Sequence, residues 1–469
     1  MLQFILNDEM INTEVEKGTT VLDFVRYHQH LRGTKIGCRE GDCGACTVLV
    51  GSLKGKKMTY QTMTCCLMPL ANAHGKHIVT IEGINTKKLN PAQQAMVEEG
   101  GTQCGFCTVG FIVSMTGFCM EVEKATFDKA VAAVDGNICR CTGYKSIERA
   151  CERMVKALKN KDAKSPVDWM IQKKHLPAYF STIVSRIKQI KQVKKLTGKK
   201  SIPVGGGTDL YVQRPEEMID KVAVHLFDNK KHKAITSKNG YIYIGAEATA
   251  TDILESALMQ KNFPTLHEDM KLVSSTPIRN MGTIAGNFVN ASPIGDLTIY
   301  FLALNSDLIL ERNGKERIVA LNKFYLGYKK LDKKANDFVR WIRFKKPTKT
   351  QLFNFEKVCK RTHLDIASVN SAALISKNGN KITEAHISIG GAGPIPTYLF
   401  KTCQFLKGKD IKPETVEEAH RILETEISPI SDARGSADYK RLLARQLFFA
   451  HFIELYPLKF SLTSLMLTH

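Results

Sequence analysis

Cys38, Cys43 and Cys46 fall within the stretch CREGDCGACTV at C-x4-C-x2-C spacing, and Cys65 and Cys66 follow in TCCLMPL. Thiolates gathered this closely bind iron, and the asymmetric spacing is that of plant-type [2Fe-2S] ferredoxins. Zinc also accepts four cysteines, but structural zinc sites favour paired C-x2-C knuckles. Gly37, Gly41 and Gly44 give the loop the backbone freedom to curl with its amides turned toward sulfur. Spacing alone leaves the fourth ligand open between Cys65 and Cys66. A second set comprises Cys104 and Cys107 in TQCGFCTVGFIVSM and Cys139 and Cys141 in GNICRCTGY, enough for one more four-thiolate centre. Eleven of the 13 cysteines lie in the first 151 residues, so sulfur chemistry is confined to the N-terminal third. Cys119 and Cys151 read as helix-face residues packed in a core.

The elements around these cysteines follow from local pattern. LQFIL and INTEVE predict a hairpin, and TTVLDFVRYH a helix capped by Thr19 or Thr20. CTVLVG and HIVTIEG supply further strands, and the sum is a β-grasp ferredoxin domain over residues 1–84. NPAQQAMVEE, with Pro91 at a helix start, FIVSMTGFCMEV and FDKAVAAV predict a helical domain over 85–160. Each cysteine pair of the second set then sits in a helix-to-helix turn. A polar linker is expected over 161–176. In SRIKQIKQVKKLTGKK, Ile187, Ile190 and Val193 join Ile183 at helical spacing, which predicts an amphipathic helix with a solvated lysine face.

Beyond the linker the chemistry changes. SIPVGGGTDLYV runs an apolar strand into three glycines, a loop whose amides can approach a pyrophosphate, although it lacks the G-x-G-x-x-G spacing of a Rossmann turn. TPIRNMGTIAGNFVNASPIGDLTIYFLAL then combines close-approach glycines with Thr283, Asn287 and Asp296 ahead of an apolar run.

Together, CREGDCGACTV, TQCGFCTVGFIVSM and GNICRCTGY resemble the two-cluster region of the molybdenum hydroxylases, the family of xanthine dehydrogenase and aldehyde oxidase. The resemblance implies that both centres are [2Fe-2S], the second in a four-helix fold. It implies Cys38, Cys43, Cys46 and Cys66 as ligands of one cluster, since Cys66 in CLMP matches the family's cysteine before proline, and Cys104, Cys107, Cys139 and Cys141 as ligands of the other. The later stretches resemble the family's FAD domain of vanillyl-alcohol-oxidase type (177–346). FEKVCKRTHLDIASVNSAAL and ISIGGAGPIPTYL resemble its C-terminal flavoprotein domain (347–457), with 458–469 as a tail. By motif position, Pro203, Val204, Gly205, Gly206, Gly207, Thr208, Asp209, Leu210, Thr283, Ile284, Ala285, Gly286, Asn287, Asp296 and Lys357 carry over as FAD contacts. The expected fold is therefore α+β and multidomain.

What the resemblance implies about function follows from this order of parts, which is that of the small subunit in two-gene members. A separate large subunit would carry the molybdenum cofactor and hydroxylate a purine (hypoxanthine or xanthine to urate). Electrons would pass through the clusters to FAD and then NAD⁺, in a heterotetramer of two small and two large chains. The loop RTHL (361–364) lies where family members govern flavin access and leaves NAD⁺ and oxygen both open as acceptor. Several hundred further residues would be needed for molybdenum domains. The same arm could serve another hydroxylase, for an aldehyde or an N-heterocycle. A non-catalytic iron-sulfur redox sensor would need no FAD.

Composition narrows the partners. The formal charge of +21 is spread along the chain without a nucleic-acid motif, so no nucleic acid is expected. No apolar run is long enough to span a membrane, no secretory leader is evident, and a reducing cytoplasm is the expected location. No serine, histidine and carboxylate set for catalysis stands out, and redox cofactors need none.

Overall fold

Leu2–Leu6 (β1) is buried on both faces. Phe4 enters one apolar core, and Ile5, pointing the other way, meets Ile183 and Ile187. The structure, a computed structural model, describes residues 1–190, 202–220, 223–227, 232–334, 336–361 and 365–461, with 463 and 465. Its residues divide into two compact units: 1–227 with 275–282, and 228–274 with 283–469.

In the first unit, β1 turns at Asn7 (φ +54°) into β2 (Glu9–Thr13). With β3 (Thr47–Lys54), β4 (Lys57–Thr64) and β5 (His77–Val79) these form a five-stranded sheet of order β2-β1-β5-β3-β4, with β1 and β5 parallel. That mixed order, crossed by a helix, is the expected β-grasp. The helix begins at α1 (Val21–Asp23) and continues through Phe24–His28, and Thr20 rather than Thr19 caps it, its hydroxyl accepting from the Asp23 amide at 3.1 Å.

Four helices follow: α2 (Pro91–Glu98), α3 (Thr108–Cys119), α4 (Phe127–Ala133) and α5 (Lys145–Ala157). Asn90 and Gln93 make a reciprocal cap with Pro91 at the first helical position, as the sequence predicts. Phe111, Met115, Phe118, Ile147 and Met154 form their shared core, and Cys119 and Cys151 are fully buried within it. The stretch expected as a polar linker is instead packed. Pro166–Gln172 is helical and its Met170 joins the same core, because Val167, Met170 and Ile171 give it one apolar face. Ile183–Gln189 forms the start of the expected amphipathic helix; Val193 and the lysines of 191–200 lie outside the described residues. A parallel pair, β6 (Ile202–Val204) and β7 (Ala223–His225), completes the unit with the segment 275–282.

In the second unit, β8 (Ile235–Lys238), β9 (Tyr241–Gly245), β10 (Asp307–Arg312), β11 (Lys315–Ala320) and β14 (Phe338–Lys345) form an antiparallel sheet of order β11-β10-β14-β9-β8. A small ribbon joins β12 (Tyr325–Gly327) to β13 (Lys330–Leu331). A second sheet runs β15-β16-β17-β18 (Gln351–Val358, Val369–Asn378, Lys381–Gly390, Thr397–Tyr398). The helix Asp296–Ala303 is buried all round from Leu297 onward and shares one core with residues of both sheets, which is why its sequence shows no polar stripe. The long helix Ala437–Leu455 packs on β15 and β16. Phe460, in the expected tail, is buried against Phe452 and Tyr456.

Candidate functional site

The loop between the first helix and β3 carries three of the thiols. A Cβ on Gly37 would lie 2.6 Å from Cys43 Sγ, and one on Gly44 (φ +67°) would lie 2.3 Å from the Gly136 carbonyl oxygen, so both positions exclude a side chain. Arg39 (φ +57°) is held to α1 by a two-pronged pair with Asp23 at 2.6 and 3.0 Å. Burial pushes the Asp23 carboxyl up, but hydrogen bonds from Arg39 and Thr20 hold it below its ordinary value. The Glu40 amide donates to Cys38 Sγ at 3.3 Å, so backbone N–H groups of the loop do turn toward sulfur.

The sulfurs are neighbours in small groups. A hydrogen bond with Cys43 brings the Cys38 thiol down to about 6 and pushes Cys43 up. Cys46 hydrogen-bonds Cys65 and Cys66 and is held well below the ordinary thiol value. Cys66 is raised by its bond to Cys46 and also takes the Gly41 amide, with Cys38 nearby; Cys65 is raised chiefly by burial, and its thiol donates to the Cys46 carbonyl oxygen at 2.9 Å. Both sulfurs of the doublet therefore reach Cys46; Cys66 in addition takes the Gly41 amide, and Cys65 the Cys46 carbonyl.

At the second set, the structure brings Cys104 beside Cys141 and Cys107 beside Cys139, each couple drawn from two different turns. Gly105 (φ +81°) and Gly143 (φ +63°) bend those turns. Burial and the Cys139 thiol push Cys107 up to about 12. Cys139 is buried, with Thr142 Oγ1 at 3.1 Å from its sulfur and its amide donating to the Tyr144 hydroxyl at 3.2 Å; Cys104 and Cys141 are exposed. A two-iron rhomb takes two thiolates per iron, and sulfurs arranged in twos suit that chemistry in both places. Among the described residues, no three His, Cys, Asp or Glu side chains surround a single-ion position.

The two thiol sets are joined. The Ile138 amide donates to the Cys43 carbonyl at 3.0 Å, and buried Asn137 donates to the Gly44 carbonyl at 3.2 Å while accepting from Ser114 at 2.8 Å. Gly110 lets α3 approach, since a Cβ there would lie 2.2 Å from the Gly44 oxygen. Asn137 and Ser114 went unmarked in the sequence because neither is a ligand type, although Asn137 stands two residues before Cys139.

The residues expected at FAD divide between the units. In the first, Gly205–Gly207 follows β6 as bare backbone. Asn72 donates to the Gly205 carbonyl at 3.0 Å, and a Cβ on Gly206 would overlap the Met281 carbonyl. In the second, the Thr283 hydroxyl caps the helix Ile284–Asn290 by accepting from Gly286 N at 3.2 Å, and Asn287 Oδ1 accepts from the Thr298 amide and hydroxyl. Asp296 accepts from Lys357 at 2.8 Å and from Asn370 at 2.6 Å. Lys357 is only 1% exposed and also donates to the carbonyls of Leu272 and Asp365, so its three ammonium protons all have partners inside the protein. Sixty-one residues separate Lys357 from Asp296, and no motif announces Asn370. Of RTHL, residues 362–364 lie outside the described residues; the Arg361 amide donates to Asp365 at 2.8 Å.

Residues 4–70 match the 2Fe-2S iron-sulfur cluster binding domain, and residues 80–152 the [2Fe-2S] binding domain. Residues 178–346 match the FAD binding domain in molybdopterin dehydrogenase, and 355–455 the CO dehydrogenase flavoprotein C-terminal domain. Together these domains match the iron-sulfur and FAD part of the molybdenum hydroxylase family. The chain's cofactors are two [2Fe-2S] clusters and FAD, and its fold is the α+β multidomain arrangement that the motifs imply. Xanthine dehydrogenase from Emericella nidulans is 28% identical over 96% of this chain and 38% of the fungal protein. Xanthine dehydrogenase/oxidase from Gallus gallus is 27% identical over 96% of this chain and 39% of its own length. The chain thus spans about two-fifths of the length of the curated relatives it matches. A carbon monoxide dehydrogenase structure from Hydrogenophaga pseudoflava matches with a TM-score of 0.50 and 25% identity, covering 54% of this chain and 88% of that one.

Within that family the chain is the electron-transfer portion. The close backbone approach at Gly44 and Gly110 brings the two thiol sets together, where the thiols would hold the clusters and the loop amides would stabilise their charge. Among the described residues no helix is long and apolar enough to cross a membrane.

Proposed function

We propose that this chain is the small subunit of a xanthine dehydrogenase, working in the cytoplasm with a large subunit that carries the molybdenum cofactor, as two small and two large chains. The large subunit oxidises hypoxanthine and xanthine to urate. Electrons leave it singly through two clusters, one at Cys38, Cys43, Cys46 and Cys66 and one at Cys104, Cys107, Cys139 and Cys141, to FAD, which passes them on in pairs to NAD⁺. The FAD contacts are residues 203–210, Thr283–Asn287, Asp296 and Lys357. The observation that carries the reading is the Cys43 carbonyl to Ile138 amide hydrogen bond, which ties the two thiol sets into one conduit. The purine substrate is supported by the two xanthine dehydrogenases that align with nearly the whole chain.

Co-purified with its large partner, the chain should let xanthine bleach flavin and clusters and drive NAD⁺ reduction. Alone, it should be bleached by NADH and not by xanthine. Bleaching by an aldehyde but not by xanthine in the pair would move the substrate to another class. Bleaching by xanthine in the lone chain would defeat the subunit reading. A second reading, that the partner oxidises a different small molecule, is favoured by the carbon monoxide dehydrogenase likeness over 54% of the chain. The same assay with carbon monoxide as donor separates it.

A further inference from the structure

Residues 275–282 leave the second unit to fold into the first, directly before the Thr283 loop. Their anchor is a buried ion pair. Arg279 Nη2 lies 2.7 Å from Asp135 Oδ2, and the two side chains are only 5% and 4% exposed. The Thr276 amide donates to Asp135 Oδ1 at 2.8 Å, its hydroxyl lies 3.1 Å from Oδ2, and Arg279 donates to that hydroxyl at 2.7 Å. Asp135 stands at the turn after α4, four residues before Cys139.

From this anchor the segment passes every redox element of the first unit. Pro277 fills the space beside Gly136, where a Cβ would lie 2.8 Å from its Cδ. Ile278 Cδ1 would lie 2.8 Å from a Cβ on Gly41, in the Cys38–Cys46 loop. Asn280 donates to the Thr62 carbonyl at 2.8 Å, and the Met281 carbonyl closes on Gly206 of the glycine loop. Two charges are costly to bury, and breaking one member of such a pair strands the other, so the pair fixes where this segment can lie.

We infer that Asp135 and Arg279 are positioning residues for the flavin: their ion pair pins residues 275–282 to the turn of the second cluster and thereby sets the glycine loop, against which the Met281 carbonyl closes, for FAD. The inference rests on the assignment of residues 203–210 to FAD. It makes flavin affinity depend on a residue of the iron-sulfur domain that touches no flavin.

The test uses the full chain, loaded with its cofactors, as wild type, Asp135→Asn, Arg279→Gln, the double variant and Thr276→Val. FAD dissociation is followed by the rise in flavin fluorescence, iron is assayed, and both cluster signals are recorded by electron paramagnetic resonance. Each charge-removing single should bind FAD at least about tenfold more weakly, with iron and the cluster signals unchanged. The double variant, which strands no charge, should recover part of that loss, and Thr276→Val should weaken FAD by about threefold. Unchanged FAD affinity in the singles, or FAD loss only in step with iron loss, overturns the inference. If the singles do not fold, ordinary FAD affinity in Thr276→Val overturns it. A wild-type chain that holds no FAD would overturn the flavin assignment itself.

Discussion

The backbone amide of Ile138 donates a 3.0 Å hydrogen bond to the carbonyl of Cys43, so the two candidate ligand loops meet one peptide away from Cys139. Neither residue is joined to the other by sequence proximity. The contact exists because Gly44 and Gly110 lack side chains where the loop and the helical domain approach, and because Asn137 bridges the Gly44 carbonyl and Ser114.

Asn137→Ala should therefore loosen this junction without removing a ligand. It strands the Ser114 hydroxyl and removes one of the donors to the Gly44 carbonyl, which keeps the Thr47 amide and hydroxyl, a cost of about 1–3 kcal/mol measurable by urea unfolding. Iron content should stay at the wild-type value, while the magnetic interaction between the two reduced clusters weakens in relaxation measurements. An unchanged interaction would mean that Asn137 is only a packing residue.

The cysteine doublet offers a sharper contrast. Cys66→Ser should abolish the signal of the first cluster, whereas Cys65→Ser should keep it, its hydroxyl replacing the thiol as donor to the Cys46 carbonyl. Electron paramagnetic resonance of the two reduced variants decides, and the reverse outcome would exchange the ligand.

Asp269 should make stability depend on pH. Burial raises its carboxyl from 3.8 to about 7, with Thr265 donating to it at 3.1 Å. The unfolded chain releases this proton near pH 4 and the folded protein keeps it to about pH 7. The contribution to stability is thus full below about pH 4 and is lost as pH rises to 7, by on the order of a few kcal/mol. Asp269→Asn should flatten that decline, so denaturation midpoints at pH 5 and pH 8 should differ less than in wild type.

Lys357→Met should be strongly destabilising, because it leaves the half-buried Asp296 carboxylate with Asn370 and no cation. A loss of about 3–5 kcal/mol is expected in urea unfolding. Pairing it with Asp296→Asn should restore part of the loss, and a double variant as unstable as the sum of the singles would contradict the pairing.

What the sequence discloses and what it hides follow one physical line. The clustered cysteines and turn glycines are legible because their types and spacing fall within a few positions, as in Cys38 to Cys46. Pro91 and Thr20 are legible because caps are local. The Asp135 to Arg279 pair, the Lys357 to Asp296 pair and the alternate-turn coupling of Cys104 with Cys141 are contacts between distant segments, and no periodicity encodes them. The packed helix at Pro166–Gln172 was masked by its charged neighbours, since only Pro166 and Met170 in it are buried.

The most direct test of the central claim is an anaerobic dithionite titration of the purified chain, followed by absorbance and by electron paramagnetic resonance. Two one-electron clusters and one two-electron flavin predict uptake of about four electrons per chain and two distinguishable cluster signals. Uptake of about two electrons, or a single cluster signal in a chain with full iron content, would contradict it.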